Sequence, residues 1–230
     1  MCKARLCTFW YNESVKTKIH AVGEYFHIYN RGVRKQPIFE IDADRFRFLF
    51  LLLVFQADIP IKNMSREIKQ SVQSLALHIE NKLAEQVIKG RTVELVHFCL
   101  MPNHFHLILK ECEEGAIVRY MHRVLTAYSK YFNIRHEKSG HLFEGSYRSK
   151  LIEDDRQLMH LSVYIHKNPR ELREWAEKEH LYPWSSYQDC LFENRFGKLL
   201  VTNVVTDRYR SSEDSYRKFL DSSTAKDPFE

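Results

Sequence analysis

Two strand-like stretches separated by only two residues constrain the fold of this chain more than any other feature of its sequence. Thr92–Met101 and His104–Lys110 are rich in apolar, aromatic and β-branched residues, and the turn-forming pair Pro102-Asn103 stands between them. A connection this short joins antiparallel neighbours. The sequence therefore predicts an antiparallel hairpin, and with it a sheet that other parts of the chain must cover.

Hydrophobic periodicity and helix-ending residues predict the other elements. In chain order these are a strand over 25–29, helices over 42–55 and 65–88, the hairpin, a helix over 116–134, a strand over 142–152, a helix over 154–167, and short helices and loops from 170. The apolar stripe predicted for the helix over 116–134 consists of Val118, Met121, Leu125, Tyr128 and Phe132. This order predicts an α+β sandwich in which one antiparallel sheet is backed by helices.

Composition excludes several classes of protein. The longest apolar run, Phe46–Phe55, is interrupted by Arg47 and is shorter than the roughly 20 apolar residues that a membrane helix needs. No secretory signal is recognisable, so we expect a cytoplasmic protein with no membrane partner. The 5 cysteines are scattered and include no CxxC pair, so neither a disulfide framework nor a zinc knuckle is indicated. A formal charge of +5 permits binding to a polyanion without requiring it.

The motif Pro102-Asn103-His104-Phe105-His106 is the sharpest local feature. Residues two apart in a strand point to the same face, so the imidazoles of His104 and His106 project together and can share a metal ion. In a chain with 12 histidines, a pair of ordinary strand histidines is the competing interpretation.

A second motif, Tyr164-Ile165-His166-Lys167-Asn168-Pro169, stands at the end of a predicted helix. Four-residue spacing places Tyr164 and Asn168 on one helical face, and the helix end leaves the Asn168 amide oxygen free to reach a cation. His160 shares that face. A tyrosine near a helix end is otherwise most often a packing residue.

Together the two motifs supply two imidazoles, an amide oxygen and a phenol, a set that suits phosphodiester transesterification. A phenol with a pKa of about 10 must lose its proton during attack, and a metal ion would make the phosphate more electrophilic. Two other tyrosines are weaker candidates for the nucleophile: Tyr128 falls on an apolar stripe, and Tyr131 has no potential metal ligand at the right offset.

The motifs PNHFHLIL and YIHKNP, the opening YFHIYNRGVRKQPIF and the segment GHLFEGSYRSKLI occur in the order found in one known family. Between about Tyr25 and Tyr187 the chain resembles the single-tyrosine HUH (IS200-like) transposases, and in particular the REP-associated tyrosine transposases. Insertion-sequence members often carry Gln four residues after the tyrosine, whereas this chain has Asn168, as the REP-associated branch does.

The resemblance implies a ferredoxin-like core and single-strand DNA cleavage and rejoining through a 5′-phosphotyrosine on Tyr164. It further implies a Mg²⁺ or Mn²⁺ site built from His104 and His106, with a third ligand from the tyrosine helix. Asn168 is the expected third ligand and His160 the reserve. Donors that include an amide and phosphate oxygens, without a thiolate, suit Mg²⁺ or Mn²⁺ better than zinc.

Cations interspersed with aromatic residues are the candidates for holding DNA, since this mixture suits phosphates and unstacked bases. The candidates are Arg31, Arg34, Lys35, Arg119, Arg123, Lys130, Tyr147, Arg148 and Lys150. A solvated helix face is the other interpretation of the helical cations. The resemblance implies single-stranded or hairpin DNA as the partner.

The predicted organisation is an N-terminal arm over 1–20, a catalytic domain over 21–190 and an extension over 191–230 that packs on the sheet or contacts DNA. Whether the protein acts as a monomer or a homodimer is left open. Two alternative functions also stay open at this point. One is a domesticated DNA- or RNA-binding protein that keeps the fold without catalysis. The other is an unrelated metal-dependent hydrolase that uses the His pair and a water, for which an additional carboxylate ligand is expected.

Overall fold

The computed structural model describes residues 21–61, 64–74, 76–209 and 213–223, so the N-terminal arm predicted over 1–20 lies outside the described residues. The strands are Tyr25–Arg31 (β1), Val93–Met101 (β2), His104–Glu111 (β3) and Arg148–Ile152 (β4). The helices are Asp42–Val54 (α1), Met64–Ser74 (α2), Asn81–Lys89 (α3), Ala116–Arg135 (α4), Asp155–Lys167 (α5), Tyr187–Leu191 (α6), Asn203–Thr206 (α7) and Glu213–Ser222 (α8).

The four strands form one antiparallel sheet in the order β2-β3-β1-β4. β1 therefore lies between β3 and β4, which come much later in the chain. With α1 between the first two strands and α4 between the last two, this is the split βαβ arrangement of ferredoxin-like folds. The predicted α+β fold with a ferredoxin-like antiparallel sheet is confirmed, as is the predicted hairpin around Pro102-Asn103.

The two faces of the sheet are covered by different helices. Phe105 packs against Phe48 of α1, with ring centroids 5.1 Å apart, and Phe48 contacts Tyr128 of α4 at 4.8 Å. The side chain of His106, the next residue of β3, points to the opposite face and meets Tyr164 of α5. Consequently α1 and α4 share one face of the sheet, and the tyrosine helix occupies the other.

The hairpin turn is held by the loop that follows β1. Backbone N–H groups of Gly32 and Ile38 donate to the carbonyl oxygens of Asn103 and Pro102, at 2.8 Å in both cases. A Cβ atom at Gly32 would lie 2.2 Å from the carbonyl oxygen of Gln36, so only glycine fits this loop. The loop therefore fixes the position of the turn immediately before His104.

The start of α1 is tied to the end of α4 through the fully buried carboxylate of Asp44. It accepts hydrogen bonds from the backbone N–H groups of Glu40 (2.9 Å) and Ile41 (3.1 Å), and lies 3.0 Å from Nε2 of His136. A carboxylate in the first turn of a helix also interacts favourably with the helix dipole. Asp42 and Asp44 both lie in this first turn.

The single helix predicted over 65–88 is wrong, because the chain forms α2 and α3 with an interruption between them. The hydroxyl of Ser71 accepts from the backbone N–H of His78 at 2.8 Å, and the hydroxyl of Ser74 donates to the carbonyl oxygen of Gln70. Serine hydroxyls that bond to the backbone in this way compete with continued helix. Gly90 follows the end of α3 as its C-cap residue.

Two further local predictions are corrected. Val118 is exposed, whereas Met121, Tyr128 and Phe132 of the predicted stripe are buried together with Ile117 and Tyr120. The strand predicted over 142–152 is confined to β4, and 142–147 instead cross the end of β1. Gly145, at φ +146°, adopts a backbone conformation that ends the extended segment.

The segment after α6 contributes to the same core. Leu199, Leu200, Val205 and Leu220 are buried in it. The division predicted at 190/191 stays a prediction. Among the described residues, no helix is both long enough and apolar enough to cross a bilayer.

Candidate active site

The predicted histidine pair lies on the face of the sheet that α5 covers. The rings of His104 and His106 are 5.1 Å apart and nearly perpendicular. Strand alternation places them side by side, as the spacing predicted.

His106 lies against His27, a buried histidine of β1. Nδ1 of His106 is 2.9 Å from Nε2 of His27, and the two rings are stacked with centroids 5.1 Å apart. Tyr29, two residues along β1, stacks on His27 at 4.7 Å. The contact with His27 engages Nδ1 of His106, so Nε2 of His106 is the nitrogen that can bind a metal ion.

His104 is oriented by an asparagine on each side. Its Nδ1 lies 2.7 Å from Oδ1 of Asn103, whose amide nitrogen donates to the carbonyl oxygen of Lys35. Its Nε2 lies 3.2 Å from Oδ1 of Asn168, whose amide nitrogen donates to the carbonyl oxygen of Tyr164 at 3.1 Å. Both amides therefore turn their oxygen atoms toward His104. With Nδ1–H donating to Asn103, the Nε2 lone pair faces the oxygen of Asn168.

Tyr164 is brought to the histidines by α5. The helix begins with Asp154, whose side chain accepts from the backbone N–H of Gln157 at 2.7 Å, the usual arrangement of an N-cap. The half-buried ring of Tyr164 meets the ring of His106 edge-on, with centroids 5.3 Å apart. The phenol, the two imidazoles and the Asn168 amide thus lie in one place.

Tyr164, His104 and His106 line an open cleft of about 630 Å³. It is also lined by Tyr29, Asn30, Arg31, Phe105, Glu144, Gly145, Ser146, Arg148 and Glu171. A cleft that combines cations, carboxylates and aromatic rings around a histidine pair can hold a charged, planar-ringed ligand such as a nucleotide.

Burial keeps the histidines of the cleft neutral. It lowers the pKa of His106 well below its usual value, with a further decrease from His27 and His104, and lowers the pKa of His104 despite the Asn168 contact. Burial, assisted by the charge of Lys150, lowers the pKa of His27 to about 3. Neutral imidazoles can bind a metal ion without first losing a proton.

The donor set fits a hard divalent cation. In the tautomer of His104 that carries its proton on Nδ1, Nε2 of His104 and Oδ1 of Asn168 are two acceptor atoms 3.2 Å apart. Two adjacent ligands of an octahedral ion, each at about 2.1 Å, are separated by about 3 Å. In that tautomer the lone pairs of the two atoms point at each other. An ion bound to both atoms would remove this repulsion.

The structure brings two of the predicted DNA-binding cations to the cleft. Arg31 is at the end of β1. Arg148 is at the start of β4, opposite Tyr29 of β1, and both arginines line the cleft. Arg31 forms a 3.0 Å ion pair with Glu144, and the two side chains are 45% and 38% exposed. Tyr147 precedes Arg148, and burial raises its pKa to about 12.

The three candidates on α4 are not brought to the cleft, because α4 packs on the opposite face of the sheet. Arg119 pairs with Glu113, and Arg123 forms a 3.1 Å ion pair with Asp58. Lys130 is exposed on the same helix. These positions separate the helical cations from Tyr164 by the thickness of the sheet.

The remaining candidates are placed as follows. Arg34 and Lys35 lie at positive φ, 54° and 61°, in the exposed turn after β1. Lys150 is opposite His27 in the β1–β4 pairing.

His160, the reserve metal ligand, is exposed, and its ring lies 6.0 Å from Phe219 of α8. Asn168, rather than His160, is therefore the residue of α5 that reaches His104.

Three residues of the site were not identified from the sequence. His27 could have been found from its alternation with Tyr29, since both must share a sheet face. Glu171 lines the cleft because Asn168–Glu171 forms a 3₁₀ turn directly after α5. Glu144 reaches the cleft by its pairing with Arg31, which no local pattern indicates. Two carboxylates, those of Glu144 and Glu171, therefore line the cleft.

The comparisons with known proteins can be set beside this geometry. A solved structure described as a REP-associated tyrosine transposase bound to a REP hairpin is similar to the chain, with 13% sequence identity, a TM-score of 0.48, and coverage of 77% of this chain and 84% of that chain. The comparison with curated proteins gave no match. Residues 61–168 match the family model described as "Transposase IS200 like". The matched segment contains His104, His106, Tyr164 and Asn168, and over these residues the chain is similar to the IS200-like transposases.

Proposed function

We propose that the protein cleaves and rejoins single-stranded DNA by a metal-dependent transesterification in which Tyr164 is the nucleophile. The observation that carries this proposal is that Tyr164, His104 and His106 meet in one cleft, with the Tyr164 ring 5.3 Å from His106 and Oδ1 of Asn168 3.2 Å from Nε2 of His104. Each component is common by itself, whereas a phenol beside neutral imidazoles and an amide oxygen suits attack on a phosphodiester.

In the proposed reaction the Tyr164 oxygen attacks the scissile phosphorus, a phosphotyrosine bond forms at the 5′ side, and the bond to the 3′ oxygen breaks. The phenol proton is released and the leaving 3′ oxygen is protonated, so a free 3′-hydroxyl results. Attack by another 3′-hydroxyl on the phosphotyrosine reverses the step and rejoins DNA. His104, His106 and Asn168 would hold Mg²⁺ or Mn²⁺, which polarises the phosphate.

The substrate proposed is single-stranded DNA flanking a hairpin. Arg31 and Arg148 at the mouth of the cleft offer cations for phosphates, and Tyr29 offers an aromatic ring on which an unstacked base can lie. Glu144 pairs with Arg31 across the opening, so binding of a phosphate would exchange one anionic partner of this arginine for another.

The test is whether a covalent adduct forms between the protein and DNA. Purified protein is incubated with Mn²⁺ and hairpin oligonucleotides that carry single-stranded flanks, and the products are analysed by mass spectrometry with peptide mapping. We expect DNA attached to Tyr164, no adduct from Tyr164→Phe, and an adduct from the matched control Tyr29→Phe, whose phenol also lines the cleft.

The same experiment separates the alternatives. Hairpin binding without an adduct would indicate a domesticated binding protein. Cleavage that survives Tyr164→Phe would indicate hydrolysis by an activated water, an alternative for which the carboxylate of Glu171 in the cleft supplies the expected acidic residue.

A further inference from the structure

Three side chains that the proposed chemistry does not use converge on the side of α5 away from the cleft. They are His97 of β2, His166 of α5 and Cys190 of α6, and one potential ligand atom from each lies within 4.8 Å of the others. Sγ of Cys190 is 3.3 Å from Nε2 of His97, and the rings of the two histidines have centroids 4.5 Å apart.

An irregularity in the sheet directs His97 into this cluster. The pairing of β2 with β3 shifts register between Leu95 and His97, which leaves Val96 as an extra residue. The shift gives His97 the sheet face that α5 covers. Bulges of this kind re-aim a side chain and are frequent beside functional sites.

The cluster is buried, and its electrostatics leave lone pairs available. Both histidines are fully buried, and burial lowers the pKa of His97 to about 3. Burial raises the pKa of the Cys190 thiol well above its usual value. At neutral pH the cluster therefore consists of two neutral imidazoles and a protonated thiol.

One atom of the cluster is not satisfied by the protein. Nδ1 of His97 is buried and has no hydrogen-bond partner among the described residues. By contrast, His166 contacts the hydroxyl of Tyr216 at 2.8 Å and that of Ser186 at 3.0 Å. The other ring nitrogen of His97, Nε2, is the one that faces Cys190, so the convergence of the three side chains around that contact, and not Nδ1, indicates a metal site.

We propose that His97, His166 and Cys190 form a second metal site that takes a soft or borderline divalent cation, with Zn²⁺ as the physiological ion. Two imidazoles and a thiolate are typical zinc ligands, whereas the oxygen-containing set at His104 and Asn168 suits a harder ion. Sulfur and nitrogen ligands of tetrahedral zinc lie about 3.5 Å apart, close to the 3.3 Å between Cys190 and His97.

Binding releases the thiol proton to solvent as the Zn–S bond forms. Three protein ligands leave one tetrahedral position, which the hydroxyl of Tyr216 or a water can fill. His166 is two residues from both Tyr164 and Asn168. An ion bound here would therefore fix α5 to β2 and α6 on the side of the helix away from the cleft. This role goes beyond the proposed function, because the site touches neither DNA nor the cleft.

The test uses Co²⁺ as a spectroscopic probe in the variant His104→Ala/His106→Ala, which removes the cleft site. We expect one equivalent of Co²⁺ to give a sulfur-to-cobalt charge-transfer band in the near ultraviolet and the visible bands of tetrahedral cobalt. Cys190→Ser in this background should lose the charge-transfer band, whereas Cys112→Ser, which alters a half-buried cysteine outside the cluster, should retain it.

A second measurement does not depend on the cysteine variant folding. With Zn²⁺ at about a hundredfold excess over its Kd, the midpoint of thermal unfolding should rise by about 5–10 °C in the His104→Ala/His106→Ala protein. Absence of both the band and the shift in folded protein would overturn the proposal and leave a hydrogen-bonded thiol–imidazole pair. A band that survives Cys190→Ser would overturn it as well.

Discussion

Asn168 presents its side-chain oxygen 3.2 Å from Nε2 of His104, although the two residues are 64 positions apart in the chain. The contact joins the end of α5 to the start of β3 and closes the candidate site around Tyr164. Because the amide nitrogen of Asn168 donates to the carbonyl of Tyr164, the orientation of this oxygen is set by the tyrosine helix itself.

Removal of that oxygen should weaken the proposed metal site. We expect Asn168→Ala to raise the Mn²⁺ concentration needed for half-maximal DNA cleavage by at least about tenfold. Asn168→Asp retains an oxygen at the same distance and should recover most of the loss. Equal Mn²⁺ requirements in the Ala and wild-type proteins would contradict the assignment of Asn168 as a ligand.

His27 should act through His106. In His27→Phe the ring is kept but the 2.9 Å contact with Nδ1 of His106 is lost, so the imidazole is less firmly oriented. We expect metal affinity to fall about 10–100-fold, with cleavage restored by excess Mn²⁺. His122→Phe, a change at an exposed histidine of α4, is the matched control and should leave the titration curve unchanged.

The position of the cations predicts which of them contact DNA. Arg31→Ala should weaken binding of a hairpin oligonucleotide and lower the slope of log Kd against log salt by about 0.7–0.9, the value for one phosphate contact. Arg119→Ala, on the opposite sheet face, should change neither quantity. Fluorescence anisotropy over a series of salt concentrations measures both, and a loss confined to Arg119→Ala would place the DNA on the other face.

Buried neutral histidines should make the metal-free protein sensitive to acid. The pKa values of His27 and His97 are about 3 in the folded protein and near 6.5 when unfolded, so the unfolded chain takes up protons that the folded chain does not. Below about pH 6.5 the free energy of unfolding should therefore fall, by at most about 1.4 kcal/mol per pH unit for each histidine. Denaturant unfolding in EDTA at several pH values tests this, and His27→Phe should reduce the slope.

The core between α1 and the sheet should dominate stability. Phe48 is fully buried and contacts the rings of Phe39, Phe105 and Tyr128. Phe48→Ala should lower the free energy of unfolding by about 3–5 kcal/mol. Phe192→Ala, at a ring that is 64% exposed, should change it by less than about 0.5 kcal/mol.

The hairpin and the common direction of His104 and His106 follow from the sequence alone. So do the α5 helix and the shared face of Tyr164 and Asn168. These features depend on local periodicity and on residues that start or end elements, which operate over a few positions. Where local rules compete, as when serine hydroxyls interrupt the helix predicted over 65–88, the sequence pattern by itself gave the wrong element.

Only the tertiary structure decided how these pieces meet. The strand order β2-β3-β1-β4 places His27 beneath His106 and brings α5 to one sheet face while α4, with Arg119 and Arg123, goes to the other. It also gathers His97, His166 and Cys190 from three elements. The physical reason is that burial of the sheet's two faces selects among long-range pairings, and no local pattern of residues encodes that choice.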